Sequence, residues 1–237
     1  MKAEAERKTA SDMAAVSDLP SVEALVAWHD AAVEDWHRDR ERSESALEAH
    51  GWPEGPGAFG LGIAMGREHL TNIRLWHEED EARRPDVGDD VIAGVKRRID
   101  GLNQSRNDLI EAVDEAMTSV LEVRGAETRR GCRLHSETPG AIIDRLSILS
   151  LKIFHMRQEA ARQDAATEHR RVCGERLEVL ERQRSDLAGC LTRLLGDLVS
   201  GLASFRTYRQ FKMYNDPETN PALRAARRDP QGPGGAL

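Results

Sequence analysis

The stretch "LWHEED" at residues 75–80 places a histidine and three carboxylates at the end of an apolar helical stripe. His77 continues the line of Leu70 and Ile73 at spacings of three and four, so it faces the core of a predicted helix. Histidine is the most frequent general base near neutral pH, and a neighbouring carboxylate can orient it. We therefore predict that His77 is a catalytic base and that Asp80, which also points inward, is its catalytic partner.

A second line of the same predicted helix carries Asn72, Trp76 and Glu79, with Trp76 at the edge of the core. An amide and an indole ring can hydrogen-bond to a ligand and stack on it, so we predict that Asn72 and Trp76 bind substrate. Glu78 is expected to face water. The alternative is a charged helix end beside a hydrogen-bonded core-edge histidine, because charged residues are seldom fully buried.

The stretch "LNQSRND" (102–108) interrupts an apolar line with Arg106. An arginine at such a position needs a carboxylate partner, or a phosphate or carboxylate of a ligand. We predict Arg106 and Asn107 as substrate-binding residues and Asp108 as a third catalytic residue. The alternative for Arg106 is a structural ion pair, for which Asp144 is the natural partner.

The stretch "TPGAIIDRLSILSLKIFHM" (138–156) is apolar on nearly every side, which is typical of the buried central helix of a bundle. Its few polar side chains are therefore candidates for substrate binding, and we assign that role to Asp144, Lys152 and His155. His155 and His77 are predicted to face one polar pocket. The alternative for Lys152 is that its long side chain reaches the surface.

A divalent metal is a possible cofactor, because carboxylates three residues apart lie on one helical face. Pairs of this kind occur in "EEDE" (78–81) and in "EAVD" (111–114). If a metal is present, we predict Glu79, Asp80 and Glu111 as its ligands.

The amino-acid composition limits the classes of protein to which this chain can belong. The 237 residues are 39% hydrophobic, 32% charged and only 4% aromatic, with a net charge of −7. This balance favours helices and argues against binding to nucleic acid or to an anionic membrane. The three cysteines lack CxxC spacing, so neither a disulfide framework nor a zinc knuckle is predicted. No apolar stretch approaches the ~20 residues that span a bilayer, and the first residues lack the apolar segment of a secretory signal. We expect a cytoplasmic protein.

Hydrophobic periodicity predicts an all-α protein, a single antiparallel bundle of about five helices with a long C-terminal helix. The first helix begins after the N-cap Ser21 and ends before the breaker "GWPEGPG" (51–57), and the fourth has Thr138 as its N-cap and Pro139 at its first position. The remaining predicted helices run over residues 59–84, from after "RPDVGDD" (84–90) to about 123, and over 168–212. The predicted domains are a disordered tail (1–19), the bundle (20–214) and a turn followed by a disordered tail (215–237).

The stretches "LWHEEDEAR", "LNQSRND", "SETPGAIIDRLSILSLKIFHM" and "KMYNDPETNP" together resemble the bacterial domain-of-unknown-function 4254 family. The resemblance covers roughly residues 60–222 and leaves out the loop near 124–135. The resemblance assigns no catalytic residues. It implies a link to sugar or nucleotide-sugar metabolism, since members are often encoded beside glycosyltransferases and envelope-glycan genes. The positions of this chain that match the family motifs are Trp76, His77, Glu79, Asp80, Asn103, Arg106, Asn107, Asp108, Pro139, Asp144, Lys152, Asn215, Asp216 and Pro217.

The main functional hypothesis is a small-molecule-binding bundle, an enzyme acting on a phosphorylated, nucleotide-linked or sugar substrate in a polar pocket between predicted helices two, three and four. One alternative is a non-catalytic scaffold or accessory protein for glycan-assembly enzymes, with a glycosyltransferase as partner. Another is a magnesium-dependent hydrolase similar to all-α nucleotide pyrophosphatases. An open cavity lined by His77, Arg106 and Asp144 would favour the first hypothesis. If these three side chains were sealed from solvent and satisfied by one another, the second would be favoured.

Overall fold

The computed structural model describes residues 19, 21–52, 59–123, 125–126, 128–210, 213 and 216–228. Over this part of the chain it confirms an all-α helical bundle with a long C-terminal helix. The elements are α1 (Val22–Arg38), α2 (Arg40–Ala49), α3 (Phe59–Glu81), α4 (Asp89–Val123), β1 (Arg133–Leu134), α5 (Pro139–Ala161), α6 (Thr167–Val199), β2 (Ala203–Ser204) and α7 (Pro221–Arg228). The predicted N-terminal tail, apart from Leu19, lies outside the described residues, as do most of the "GWPEGPG" breaker and Asn215.

Two helix starts follow the predicted capping chemistry. The Ser21 hydroxyl accepts a hydrogen bond from the amide of Ala24 at 3.0 Å, and the Thr138 hydroxyl accepts one from Ala141 at 3.2 Å. Pro139 occupies the first position of α5, where a missing N–H leaves no hydrogen bond unmade. The predicted start of both helices is therefore confirmed.

The prediction of a single helix before residue 50 is wrong, because the helix is interrupted at Asp39 and forms two helices, α1 and α2. This residue ends α1 in a non-helical conformation, and its carboxylate accepts a hydrogen bond from the amide of Arg42 at 3.2 Å. Asp39 is thus the N-cap of α2. Aspartate favours caps because its short side chain competes with the helical backbone for hydrogen bonds.

The predicted end of the long helix at about residue 212 is also wrong, because α6 ends at Val199. Gly201 adopts a φ of 67°, and the amides of Gly201 and Leu202 donate to the carbonyls of Leu198 and Asp197. These bonds form a Schellman motif, which needs a left-handed residue and so uses glycine. Beyond the turn, β2 pairs in parallel with β1, Arg133 opposite Ala203.

The chain divides into two compact units, the first ending at Thr207. The second contains α7, which occupies part of the segment predicted to be a turn and a disordered tail. Asp216 precedes it in a turn, where its carboxylate accepts a hydrogen bond from the amide of Glu218 at 2.8 Å, and the amide of Ala222 donates to the Asn220 side chain at 2.9 Å. An N-cap at Asn220 therefore starts a helix that periodicity did not indicate.

The first unit is built around α5, which contacts α1, α3, α4 and α6. Ten of its residues are buried, as expected for a helix that is apolar on nearly every side. Its N-terminus is anchored to α4 by the buried Asp114, whose carboxylate accepts a hydrogen bond from the amide of Gly140 at 2.7 Å. None of the described helices has the length and apolarity needed to cross a membrane.

Candidate functional site

A network of buried polar groups, here called the acid network, lies between α3, α4 and α5. The guanidinium of Arg106 on α4 donates through Nε and Nη2 to both oxygens of Asp144 on α5, with an Nε–Oδ1 distance of 2.6 Å. The Asp144 side chain is only 5% exposed, and that of Arg106 is 27% exposed. The predicted ion pair between them is therefore confirmed, with bidentate geometry.

Residues of α3 and α5 complete the acid network behind this ion pair. The Asn72 amide nitrogen lies 3.0 Å from an Asp144 oxygen, 3.0 Å from the Ser147 hydroxyl, and within hydrogen-bonding distance of Glu68. The Ser147 hydroxyl is also 2.8 Å from Nδ1 of His69. Every one of these side chains except Arg106 is buried.

The acid network holds its two carboxyl groups in different protonation states. Burial and the adjacent Asp144 carboxylate raise the pKa of Glu68 well above its ordinary value, so Glu68 is a neutral acid. Burial alone would raise the pKa of Asp144 as well, but the hydrogen bonds from Arg106 and the other network members outweigh burial and lower it. One negative charge therefore faces one positive charge.

His69 connects the acid network to a further buried histidine, His29. Nε2 of His69 lies 3.2 Å from the carbonyl of His29, and the two rings are 4.5 Å apart. Burial lowers the pKa of His69 to about 3, partly offset by this hydrogen bond, and it lowers the pKa of His29 well below its usual value. Both imidazoles are thus neutral and form part of the interior.

An open cleft of about 450 Å³ lies on the solvent side of the acid network, between α3, α4 and α5. The cleft is lined by Asn72, Leu75, Trp76, Glu79, Asp80, Arg83, Asn103, Arg106, Ile148 and Leu151.

Several side chains predicted as site residues lie away from the cleft lining. Asp108 accepts a hydrogen bond from Gln104 at 2.7 Å and lines a different groove, beside Arg74. Lys152 is exposed and lines a third groove, between α5 and α6. Asn107, Glu111 and the buried Asp144 are not among the cleft-lining residues either.

The predicted arrangement within "LWHEED" needs two corrections. Asp80 is exposed rather than inward, and no hydrogen bond joins it to His77 in the described part of the chain. Glu78 does not face open water: its side chain is 24% exposed and accepts a hydrogen bond from Arg98 on α4 at 2.9 Å. The reason is that α4 packs along this side of α3 and covers the line that Glu78 occupies.

A second polar group, here called the histidine cluster, consists of His37 on α1, His77 on α3 and His155 on α5. One ring nitrogen from each lies within 4.8 Å of those of the other two. The ring of His77 stacks on Trp36 at 4.4 Å, and that of His155 stacks on Trp76 at 4.8 Å with nearly parallel planes. Trp76 therefore belongs both to the cleft wall and to the surroundings of the cluster.

Two members of the histidine cluster, His77 and His155, have lowered pKa values. Burial, with the neighbouring His37 and His77, lowers the pKa of His155 to about 4. Burial and His37 also lower the pKa of His77, although the Asp80 carboxylate opposes this effect. Among the described residues, these histidines form the one group of His, Cys, Asp and Glu side chains close enough to share a metal. Glu79, Asp80 and Glu111 are not brought together in this way.

Sequence reasoning missed His37, Glu68, His69 and Ser147. Glu68 lies one turn before Asn72 on the line that also carries Trp76, so extending that line upstream would have found it. His37 had no such signal, because the first predicted helix could not be placed relative to the others. Its position beside His77 depends on how α1 packs in the tertiary structure.

Comparison with known proteins identifies the family of the chain. No curated protein and no solved structure matches it. A family model described as "Protein of unknown function (DUF4254)" matches residues 64–207, a span that contains the cleft, the acid network and two of the clustered histidines. The chain therefore belongs to the DUF4254 family.

Proposed function

We propose that this protein binds a small molecule carrying a sugar in the cleft between α3, α4 and α5, and acts on it as an enzyme. The observation that carries the proposal is the state of Arg106. Its Nε and Nη2 atoms are held by Asp144, which leaves the N–H groups of Nη1 directed away from that carboxylate in a residue that lines the cleft. A donor fixed in this way loses little conformational entropy when a ligand binds.

The charge of the cleft supports a sugar over a simple phosphate. Arg106 is neutralised by Asp144, and Arg83 donates to Glu79 at 2.7 Å. Asp80 adds a carboxylate that forms no ion pair with the described residues. The cleft thus has no excess of positive charge, and hydroxyl groups suit its mixture of donors and acceptors better than a multiply charged anion does.

Trp76 supports the same class of ligand. Its ring is held by stacking on His155, and it lines the cleft beside Leu75 and Ile148. A fixed indole offers an apolar surface to the C–H face of a sugar ring while the polar groups bind its hydroxyls. Asp80 is the cleft carboxylate available to exchange a proton with a bound hydroxyl.

The cytoplasmic location and a glycosyltransferase partner stay predictions that accompany this proposal.

Isothermal titration calorimetry with four ligands tests the proposal: a free hexose, a hexose 1-phosphate, a uridine diphosphate hexose and inorganic phosphate. We expect binding of at least one sugar-containing ligand. Trp76→Leu and Arg106→Lys should each weaken it by at least about tenfold, or ~1.4 kcal/mol. Lys152→Ala is the matched control, because Lys152 lines a separate groove, and it should bind normally.

Binding of phosphate alone, or binding that Trp76→Leu leaves unchanged, would contradict a sugar site in the cleft. Absence of binding by all four ligands would overturn the proposal and favour the scaffold hypothesis. Unfolding curves of each variant, measured in parallel, show whether a loss of binding reflects a loss of the fold.

A further inference from the structure

We propose that His37, His77 and His155 form a binding site for a divalent transition-metal ion of the zinc type. The site is separate from the predicted carboxylate ligands and does not depend on a sugar in the cleft. Each histidine comes from a different helix, α1, α3 or α5, and their ligand nitrogens lie within 4.8 Å of one another.

Two of the nitrogens lack any other partner. Nε2 of His77 and Nε2 of His155 are buried and have no hydrogen bond in the described part of the chain. Buried nitrogen atoms are nearly always paired, so an unpaired atom needs an explanation. Two such atoms on neighbouring rings are explained by a ligand that both of them bind.

His37 has the orientation of a metal ligand. Its Nδ1 donates to the carbonyl of Val33 one turn earlier, at 2.8 Å. This hydrogen bond fixes the tautomer and leaves the lone pair of Nε2 free to bind, which is the arrangement that metal-binding histidines usually have. His37 is exposed, so an ion has access to this side of the cluster.

Aromatic rings pack against each histidine of the cluster. Trp36 stacks on His77, Trp76 stacks on His155, and the ring of Phe154 lies 4.4 Å from that of His37. A tetrahedral zinc ion with bonds of about 2.0–2.1 Å places its ligand nitrogens roughly 3.4 Å apart. The observed nitrogens lie within 4.8 Å of one another, so the side chains must rotate to bring all three onto one ion.

The surroundings favour a transition metal over magnesium. Imidazole nitrogen binds zinc, copper, nickel and iron well, whereas magnesium prefers oxygen. The Asp80 carboxylate acts electrostatically on both His77 and His155 and offsets part of the ionic charge, although the Arg40 guanidinium, 5.1 Å from the centre of the Trp36 ring, opposes it. Three histidine ligands leave a fourth coordination position open for water or another molecule.

The test uses the full-length protein after dialysis against a chelator, titrated with Zn²⁺ and with Mg²⁺ in a calorimeter. We expect one Zn²⁺ per chain and no heat from Mg²⁺. His37→Ala should weaken Zn²⁺ binding by at least about tenfold. It is the preferred variant because His37 is exposed and its loss leaves the core intact. The control is His50→Ala, which removes an exposed histidine at the end of α2 and should bind as the wild type does.

A spectroscopic measurement makes the assignment specific. With Co²⁺ in place of Zn²⁺, the visible absorption reports nitrogen ligands in a four-coordinate site, and we expect His155→Ala to alter it. No Zn²⁺ binding by the wild type, or equal affinity in His37→Ala, would overturn the proposal. Because no sugar is present, these outcomes are independent of ligand binding in the cleft.

Discussion

The acid network and the histidine cluster both place polar groups inside an apolar bundle, but they differ in how their members relate to one another. In the acid network, groups of opposite character meet: Arg106 donates to Asp144, and the two N–H groups of the Asn72 amide lie among three acceptor oxygens. In the histidine cluster, three like groups converge, and Nε2 of His77 and of His155 bind nothing that the structure describes.

This difference teaches that the density of polar residues in a core is a poor guide to function. Complementary groups stabilise one another, so a network such as that around Asp144 can be buried without a ligand. Neutral imidazoles can hydrogen-bond to one another, but Nε2 of His77 and Nε2 of His155 are buried without a partner among the described residues, so they are available to a further ligand. The acid network therefore fixes Arg106 in place for the cleft, whereas the histidine cluster is itself a candidate binding site.

The largest expected effect comes from breaking the acid network. Arg106→Ala should lower the free energy of unfolding by about 3–5 kcal/mol, because it leaves the Asp144 carboxylate buried without its counter-charge. Urea denaturation measures this change. Lys96→Ala is the control, since Lys96 forms an exposed ion pair with Asp100, and its effect should stay below about 1 kcal/mol. An equally small effect of Arg106→Ala would show that the acid network is not a structural unit.

The protonation of Glu68 gives the next largest effect. Its raised pKa means that the folded protein binds a proton that the unfolded chain releases above about pH 4.5. The stability that this proton contributes is complete below the unfolded pKa and is lost as pH rises toward the folded one, by up to about 1.4 kcal/mol per pH unit. Glu68→Gln removes this loss, so its stability relative to the wild type should increase with pH.

Denaturation of both proteins between pH 5 and pH 8 measures this trend. Glu181→Gln, at an exposed ion pair with Arg157, is the control and should show no such trend. A difference between Glu68→Gln and the wild type that is constant with pH would mean that Glu68 is ionised in the folded state.

Two buried serines on α5 differ in whether their hydroxyl groups form hydrogen bonds. Ser147 bonds to His69 and Asn72, whereas the buried Ser150 hydroxyl has no partner among the described residues. A buried hydroxyl without a partner costs roughly 1–3 kcal/mol, so Ser150→Ala should stabilise the protein by about 1 kcal/mol, and Ser147→Ala should destabilise it by a similar amount. Thermal unfolding of the two variants shows whether the signs are opposite.

The smallest effect is expected in the histidine cluster without metal. His37→Ala removes an exposed side chain whose intramolecular hydrogen bond is local to α1, so the metal-free protein should lose less than about 1 kcal/mol. With saturating Zn²⁺ the wild type should gain stability and this variant should not. A large loss in the metal-free protein would instead make His37 a structural residue.

The sequence by itself determined that the fold is helical and much of the local chemistry of its helices. Capping at Ser21 and Thr138, the apolar character of α5 and the partnership of Arg106 with Asp144 all depend on spacing along the chain or on a charge that needs an opposite one. It also indicated Asn72, Trp76 and Arg106 as candidates, and these line the cleft. Whether they bind a substrate stays a prediction.

Only the tertiary structure decided which of the predicted side chains meet. Asp108 lies on the same helix as Arg106, and Lys152 on the same helix as Asp144, yet each lines another groove. The reason is that different neighbours pack on the different faces of one helix. The histidine cluster shows the same dependence. Periodicity places His77 and His155 on inward faces, but it does not show where α1 packs relative to the other helices. The position of His37 beside them therefore results from packing between distant segments.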